Sequence, residues 1–230
     1  MKAAVVCFPG SNCEMDTVRA IRAVCECDPV LVWHKDRIPK DCDLVVLPGG
    51  FSYGDYLRVG AIARISPVMQ SVIEFARAGG LILGICNGFQ ILVEAGLLPG
   101  ALIRNRKLRF ICKWVHLRVE RKDTPFTSQC PDVIRIPIAH ATGNYYASSS
   151  DLAEIEAKKL VVFRYSSCRG EVAPTFNPNG SVNNIAGIVS EQGNVLGMMP
   201  HPERAISAEL GGADGVFIWR SLVESLAARR

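Results

Sequence analysis

Nine cysteines and four histidines are the groups of this chain best suited to nucleophilic and proton-transfer work. Their surroundings sort them. Only Cys86 sits in a Gly-x-Cys-x-Gly setting, within Leu81-Ile82-Leu83-Gly84-Ile85-Cys86-Asn87-Gly88-Phe89-Gln90. An apolar strand that runs through such a turn straight into a helix is the nucleophile-elbow pattern, with cysteine in place of serine. The elbow residue takes a strained backbone, and Gly84 and Gly88 leave room for neighbouring backbone. A cysteine there meets the helix dipole and free N–H groups, which favour thiolate. The N–H of Asn87 is placed to donate to an oxyanion.

A thiolate nucleophile needs a base and a group that orients the base. His34 and His116 lie in strand-like runs and read as structural. His140 precedes Ala141-Thr142-Gly143 in what reads as an open loop. His201 is the candidate base, within Met198-Met199-Pro200-His201-Pro202-Glu203. Pro202 biases His201 toward extended backbone, where residues two apart face one side. Glu203 can then accept from one ring nitrogen while the other faces Cys86, as in a catalytic triad.

A third segment, Leu47-Pro48-Gly49-Gly50-Phe51-Ser52-Tyr53-Gly54-Asp55-Tyr56-Leu57-Arg58, ends a strand on two glycines. Their bare amides could complete an oxyanion hole, bind a substrate carboxylate, or form only a turn. A phosphate cradle competes, but no Gly-x-x-x-x-Gly-Lys-Ser/Thr loop is present in the sequence. With no Cys-x-x-Cys pair, and Cys25-Glu26-Cys27 alone, no metal site is expected.

The elements that must carry these segments alternate. Strands are expected at Lys2–Phe8, Val30–Trp33, Leu44–Leu47 and Leu81–Ile85. Helices are expected over Met15–Val24, Pro67–Ala78 and Asn87–Ala95, with Ser11 and Asn12 offering capping side chains to the first. The second half is richer in strands: Phe110–Glu120, Val133–Ile138, and a hairpin of Ile185–Ser190 with Val195–Met199. A last helix spans about Asp214–Ala228. The pattern predicts one α/β domain over residues 1–230, a mostly parallel doubly wound sheet with flanking helices and an added antiparallel section.

Composition agrees with a globular enzyme. The 230 residues are 49% hydrophobic and 21% charged, enough to build a core. A net charge of +4 is too weak for a nucleic-acid binder, and the apolar runs are too short to span a membrane. Scattered cysteines in odd number predict a reducing, cytoplasmic setting with most thiols acting as small hydrophobes.

With these segments in view, the chain resembles the class I (triad) glutamine amidotransferases. The likeness extends over essentially the whole chain. It includes Pro9-Gly10-Ser11-Asn12-Cys13, the run from Pro48 to Arg64, Gly84–Gln90, Arg109-Phe110 and Pro200–Arg204. The Pro-Gly-Gly-Phe-Ser-Tyr-Gly-Asp-Tyr-Leu-Arg run is the most specific and is similar to the glutaminase type that serves purine biosynthesis. The resemblance implies a flavodoxin-like three-layer fold and a γ-glutamyl thioester on Cys86. His201 would be acid and base, and Glu203 its orienter. Gly49, Gly50 and Asn87 would form the oxyanion site, and Gln90 would help bind L-glutamine. It implies no cofactor on this chain. Ammonia would pass to a large PurL-type synthetase subunit using ATP and Mg²⁺ on formylglycinamide ribonucleotide, with a small PurS-type subunit bridging the two. The family usually reads Ala-His-Gly-Glu-Gly where this chain has Ala139-His140-Ala141-Thr142-Gly143, so the acid of that loop is missing. Competing readings are an amidotransferase for another synthetase, a cysteine peptidase or deglycase-like enzyme, and a non-catalytic docking subunit.

Overall fold

The computed structural model describes residues 1–229. The first half follows the alternation in the sequence: β1 (Ala3–Cys7), α1 (Glu14–Cys25), β2 (Val30–Trp33), β3 (Leu44–Leu47), α2 (Pro67–Arg77), β4 (Leu81–Ile85) and α3 (Asn87–Glu94). Every residue of β3 and β4 is buried. Burial on both faces is why these strands are continuous apolar runs rather than alternating ones. Helix α2 begins on Pro67, whose missing N–H costs nothing in a first turn, and buries Val68, Met69, Val72 and Ala76 along one stripe.

The second half contains β5 (Ala101–Ile103), β6 (Ile111–Val119), β7 (Val133–His140), β8 (Asn144–Tyr146), α4 (Ser149–Ala157) and β9 (Val161–Ser166). It closes with β10 (Ile185–Val189), β11 (Val195–Met198) and α5 (Val216–Ala228). One nine-stranded sheet has the order β2-β1-β3-β4-β11-β10-β9-β6-β7, while β5 and β8 form a separate pair. The pairs from β2 to β11 are parallel, and those from β11 to β7 are antiparallel. The mixed sheet is the architecture the sequence predicts, with an antiparallel section four strands wide. Helix α5 packs against α1 and buries Ile218, Trp219 and Leu222.

Two local expectations are corrected. Strand β7 runs two residues further than expected, pairing Ile111 with His140 at its end, so His140 is a buried strand residue and not an open-loop one. Helix α1 is capped by neither Ser11 nor Asn12: its N-cap is Cys13, with no side-chain cap bond. The Ser11 hydroxyl instead donates to Phe8 C=O at 2.8 Å and lies 3.0 Å from Glu14 Oε1, tying the turn to the strand before it.

Strands β1, β3, β4 and β11 run in one direction in adjacent register. The segments that leave their carboxyl ends, residues 8–13, 48–55, 86–88 and 199–204, therefore emerge on one edge of the sheet. That is where open α/β sheets place their ligands. Among the described residues, no helix is long and apolar enough to cross a membrane.

Candidate active site

Cys86 has φ 50° and ψ −102°, an unfavourable conformation for a residue with a side chain. Such strain costs on the order of 1–3 kcal/mol and persists only where surroundings enforce it. The enforcement is visible. Cys86 N–H donates to Met198 C=O at 2.8 Å, and Gln90 N–H donates to Cys86 C=O at 3.1 Å, so the elbow is fixed to β11 and α3 together. A Cβ on Gly88 would lie 1.9 Å from the Leu47 carbonyl oxygen, and one on Gly84 would lie 2.9 Å from the Gly88 carbonyl carbon. Helix α3 can thus start against β3 only because both positions are bare. Its first-turn N–H groups, beginning with Asn87, have no acceptor within the helix and face the nucleophile's end.

The loop after β3 is stitched to the loop after β1. Asn12 and Cys13 N–H groups donate to Gly49 C=O at 3.4 and 3.2 Å, Phe51 N–H to Gly10 C=O at 3.0 Å, and Tyr53 N–H to Pro9 C=O at 2.6 Å. Gly50 has φ +144°, and a Cβ there would lie 2.6 Å from Ser11 Cα. Gly49 is required for another reason: its Cβ would fall 2.8 Å from His201 Cε1. Further out, the Tyr53 hydroxyl meets His34 Nδ1 and Ser66 Oγ, each at 2.7 Å, so His34 serves this loop as a structural residue.

His201 is 2% exposed and Glu203 1%. His201 Nδ1 is 2.6 Å from Glu203 Oε1, while Nε2 is buried with no hydrogen-bond partner. The route to that pairing differs from simple alternation along a strand. His201 has φ −104° and ψ 86°, and Pro202–Arg204 then form a single 3₁₀ turn that swings Glu203 back onto the ring. Burial by itself would push the imidazole pKa down. The charge of Glu203 opposes it, with help from Cys86 and Cys13, and holds His201 well above its ordinary value. The segment is fixed by Met199 N–H on Ala186 C=O and His201 N–H on Pro137 C=O, at 3.0 and 2.8 Å.

Cys86, His201 and Gly50 line one cavity of about 180 Å³, together with Cys13, Phe51 and Arg204. The larger cleft of about 1090 Å³ lies over Arg118, Arg164 and the Asn177–Asn184 loop, away from the thiol and the imidazole. Chemistry, and not size, selects the small cavity. Gln90 and Asn87 stand behind it: Asn87 Nδ2 donates to Gln90 Oε1 at 2.9 Å, Asn87 Oδ1 accepts from Ser52 N–H at 3.1 Å, and Gln90 Nε2 bonds Thr142 C=O. The Gln90 side chain is therefore engaged with the loop after β7 and does not line the cavity.

Three features escape sequence reading. His140 is buried beside the site, with Nδ1 3.1 Å from Asn105 Oδ1. Burial first, and then the charge on His201, lower its pKa to about 3, so it stays neutral. Cys13 places its sulfur at the triad, and Cys13, His201 and Glu203 offer donor atoms within 4.8 Å of one another. Arg204 donates from Nη2 to that sulfur at 2.8 Å. A guanidinium so placed opposes a dication at the cluster, so these residues do not suit a resident metal. The signal for Cys13 and Arg204 was present only as two short segments of family-like text, with nothing to show that they meet.

A sequence model of the CobB/CobQ-like glutamine amidotransferase domain matches residues 1–210. A protein of Moorella thermoacetica called phosphoribosylformylglycinamidine synthase subunit PurQ is 56% identical over 226 residues, covering 97% of this chain and 96% of that protein. One of the same name from Rhodopseudomonas palustris is 56% identical over 230 residues, covering 99% of each. Among solved structures, a chain in the structure of PurLQS from Thermotoga maritima matches with TM-score 0.86 and 44% identity, covering 98% of both chains. A glutamine amidotransferase from the same organism matches at TM-score 0.61 and 17% identity, a likeness of fold alone.

Proposed function

The chain belongs to the CobB/CobQ-like glutamine amidotransferase domain family, and from that premise we propose that it is the glutaminase subunit of a phosphoribosylformylglycinamidine synthase. It hydrolyses L-glutamine to glutamate and delivers the ammonia to an ATP-dependent synthetase in purine biosynthesis. The observation that carries this reading is a strained cysteine at a helix start, sharing a cavity with the histidine of a buried His–Glu pair, in a chain similar over 99% of its length to a named PurQ subunit.

The geometry supports a stepwise acyl transfer. Cys86 Sγ adds to the side-chain carbonyl carbon of glutamine, its proton being held on His201 Nε2. The resulting oxyanion is held by backbone N–H groups at Asn87 and Gly50, which cost no reorganisation because the elbow and the bonds on either side of Gly50, Phe51 to Gly10 and Cys13 to Gly49, have already fixed them. His201 then protonates the leaving nitrogen, and ammonia departs, leaving the γ-glutamyl thioester. In the second half His201 removes a proton from water, the hydroxide adds to the thioester, and Cys86 leaves as glutamate forms. Glu203 keeps the proton on Nδ1 and so presents Nε2 to the sulfur. Gln90 acts on this site through Thr142, bracing the wall beyond His140.

The partners are a large PurL-type subunit, which uses ATP and Mg²⁺ to activate formylglycinamide ribonucleotide, and a small PurS-type subunit. The name PurLQS given to the Thermotoga maritima structure supports an assembly with such partners. The reading is tested by glutamine hydrolysis in the assembled complex, with Cys86→Ala beside the wild type. The expected result is loss of glutamine-dependent product with ammonia-dependent product retained. Retained glutamine use in Cys86→Ala overturns the assignment.

A further inference from the structure

We propose that Cys13 is a positioning residue of the glutaminase site, fixing the His201 ring and the Gly49–Gly50 loop relative to each other through its bond with Arg204. The inference rests on the glutaminase reading and adds a residue to it. Cys13 is 1% exposed, at the N-cap of α1, and touches three separate parts of the site. Its N–H donates to Gly49 C=O at 3.2 Å. Its sulfur lies 3.0 Å from the point a Gly49 Cβ would occupy, which is itself 2.8 Å from His201 Cε1, so sulfur and imidazole flank the same glycine. The same sulfur accepts from Arg204 Nη2 at 2.8 Å, and the thiol proton is directed to Asn12 Oδ1 at 3.1 Å.

Arg204 completes the clasp. Its Nε lies 3.6 Å from Asp16 Oδ2 and 3.8 Å from Glu203 Oε1. The guanidinium therefore joins the first turn of α1 to the turn that carries His201 and Glu203. Contrast the other buried thiols. Burial, against a hydrogen bond with Ser221 and the charge of Lys122, pushes Cys130 up to about 12, and burial with Cys27 nearby does the same to Cys25. Neither thiol is at the site: Cys25 meets Trp219 C=O and Cys130 meets Ser221. Cys13 has both donor and acceptor engaged, at the junction of the oxyanion loop and the base.

Positioning of this kind affects turnover more than binding, because a small misplacement of the base is felt in the transition state. In the assembled complex, Cys13→Ala is expected to lower kcat for glutamine hydrolysis about 10–100-fold, with KM within about threefold. Cys13→Ser keeps an acceptor for Arg204 and is expected to recover to within about threefold of wild type. The pH profile of kcat should shift in Cys13→Ala and overlay wild type in Cys13→Ser. Arg204→Ala should cost at least as much as Cys13→Ala, since it also removes the pairings with Asp16 and Glu203, and the double variant little more than Arg204→Ala, since the Cys13–Arg204 contact is shared. Thermal unfolding of each variant separates misfolding from misplacement. Wild-type kcat and pH profile in Cys13→Ala, a Ser variant as poor as Ala, or additive losses would each overturn the proposal. If wild type itself consumes no glutamine, the glutaminase reading falls first and takes this one with it.

Discussion

Gly88→Ala tests whether the start of α3 is set by backbone contact with β3. The added Cβ would sit 1.9 Å from Leu47 O and 2.6 Å from Leu47 C, both backbone atoms that no side-chain rotation can move. Ordinary contact begins near 3.4 Å, so helix and strand must part by about 1.5 Å. Overpacking of this sort costs about 1–3 kcal/mol. At this chain length that corresponds to a Tm lower by about 2–12 °C. The same shift carries the Asn87 N–H out of reach of the oxyanion. Losing one such donor costs about 10²–10³ in kcat, or roughly 3–4 kcal/mol of barrier. Gly96→Ala is the matched control: Gly96 has φ +71°, and nothing lies within 4 Å of its Cβ position. It should lose about 1–2 kcal/mol through backbone strain and keep its activity. The assay is glutamine turnover in the complex, paired with a thermal scan of each variant. Gly88→Ala with kcat within threefold of wild type, or Gly96→Ala equally impaired, would falsify the account of the elbow.

Glu203→Gln keeps the shape of the carboxylate and removes its charge and acceptor pair. Burial then wins at His201, whose pKa falls, and kcat should drop about 10²–10⁴-fold with little change in KM. An NMR titration of the His201 ring that shows no downward shift in this variant would refute the role given to Glu203. Asp55 is half-buried, its Oδ1 has no partner, and burial raises its pKa to about 6. The folded chain therefore holds a proton there between about 4 and 6 that the unfolded chain has released, so stability falls as pH rises through that window. Asp55→Asn should raise Tm relative to wild type at pH 8 and leave it nearly unchanged at pH 4; equal gains at both pH values would show that charge is not the cause.

How much of this was legible in the sequence depends on how local each feature is. The elbow was legible because strand, glycines, cysteine and helix occupy ten consecutive residues, and each glycine answers a clash within that unit or with the adjoining strand. The His–Glu pair was legible as a pairing but not in its route, because a 3₁₀ turn and an extended strand both bring residues two apart together at a proline. Helix α4 left little trace, since only Ile155 is buried along it. Strand β9 has all six residues buried, yet an arginine stands in its middle. Arg164 is tolerated there because Glu156 Oε2 and Asn183 C=O take its guanidinium at 2.6 and 2.8 Å, partners supplied by other segments. His140 looked open because the residues after it read as a loop, but the ladder to Ile111 continues to its last residue. Cys13 and Arg204 are the extreme case, 191 residues apart in sequence and 2.8 Å apart in space. A thiol at the end of a Pro-Gly-Ser-Asn turn is unremarkable until β1, β3 and β11 are laid in one direction. Those parallel strands deliver residues 8–13, 48–55 and 199–204 to one edge of the sheet, and the contact follows from topology rather than from either segment's composition.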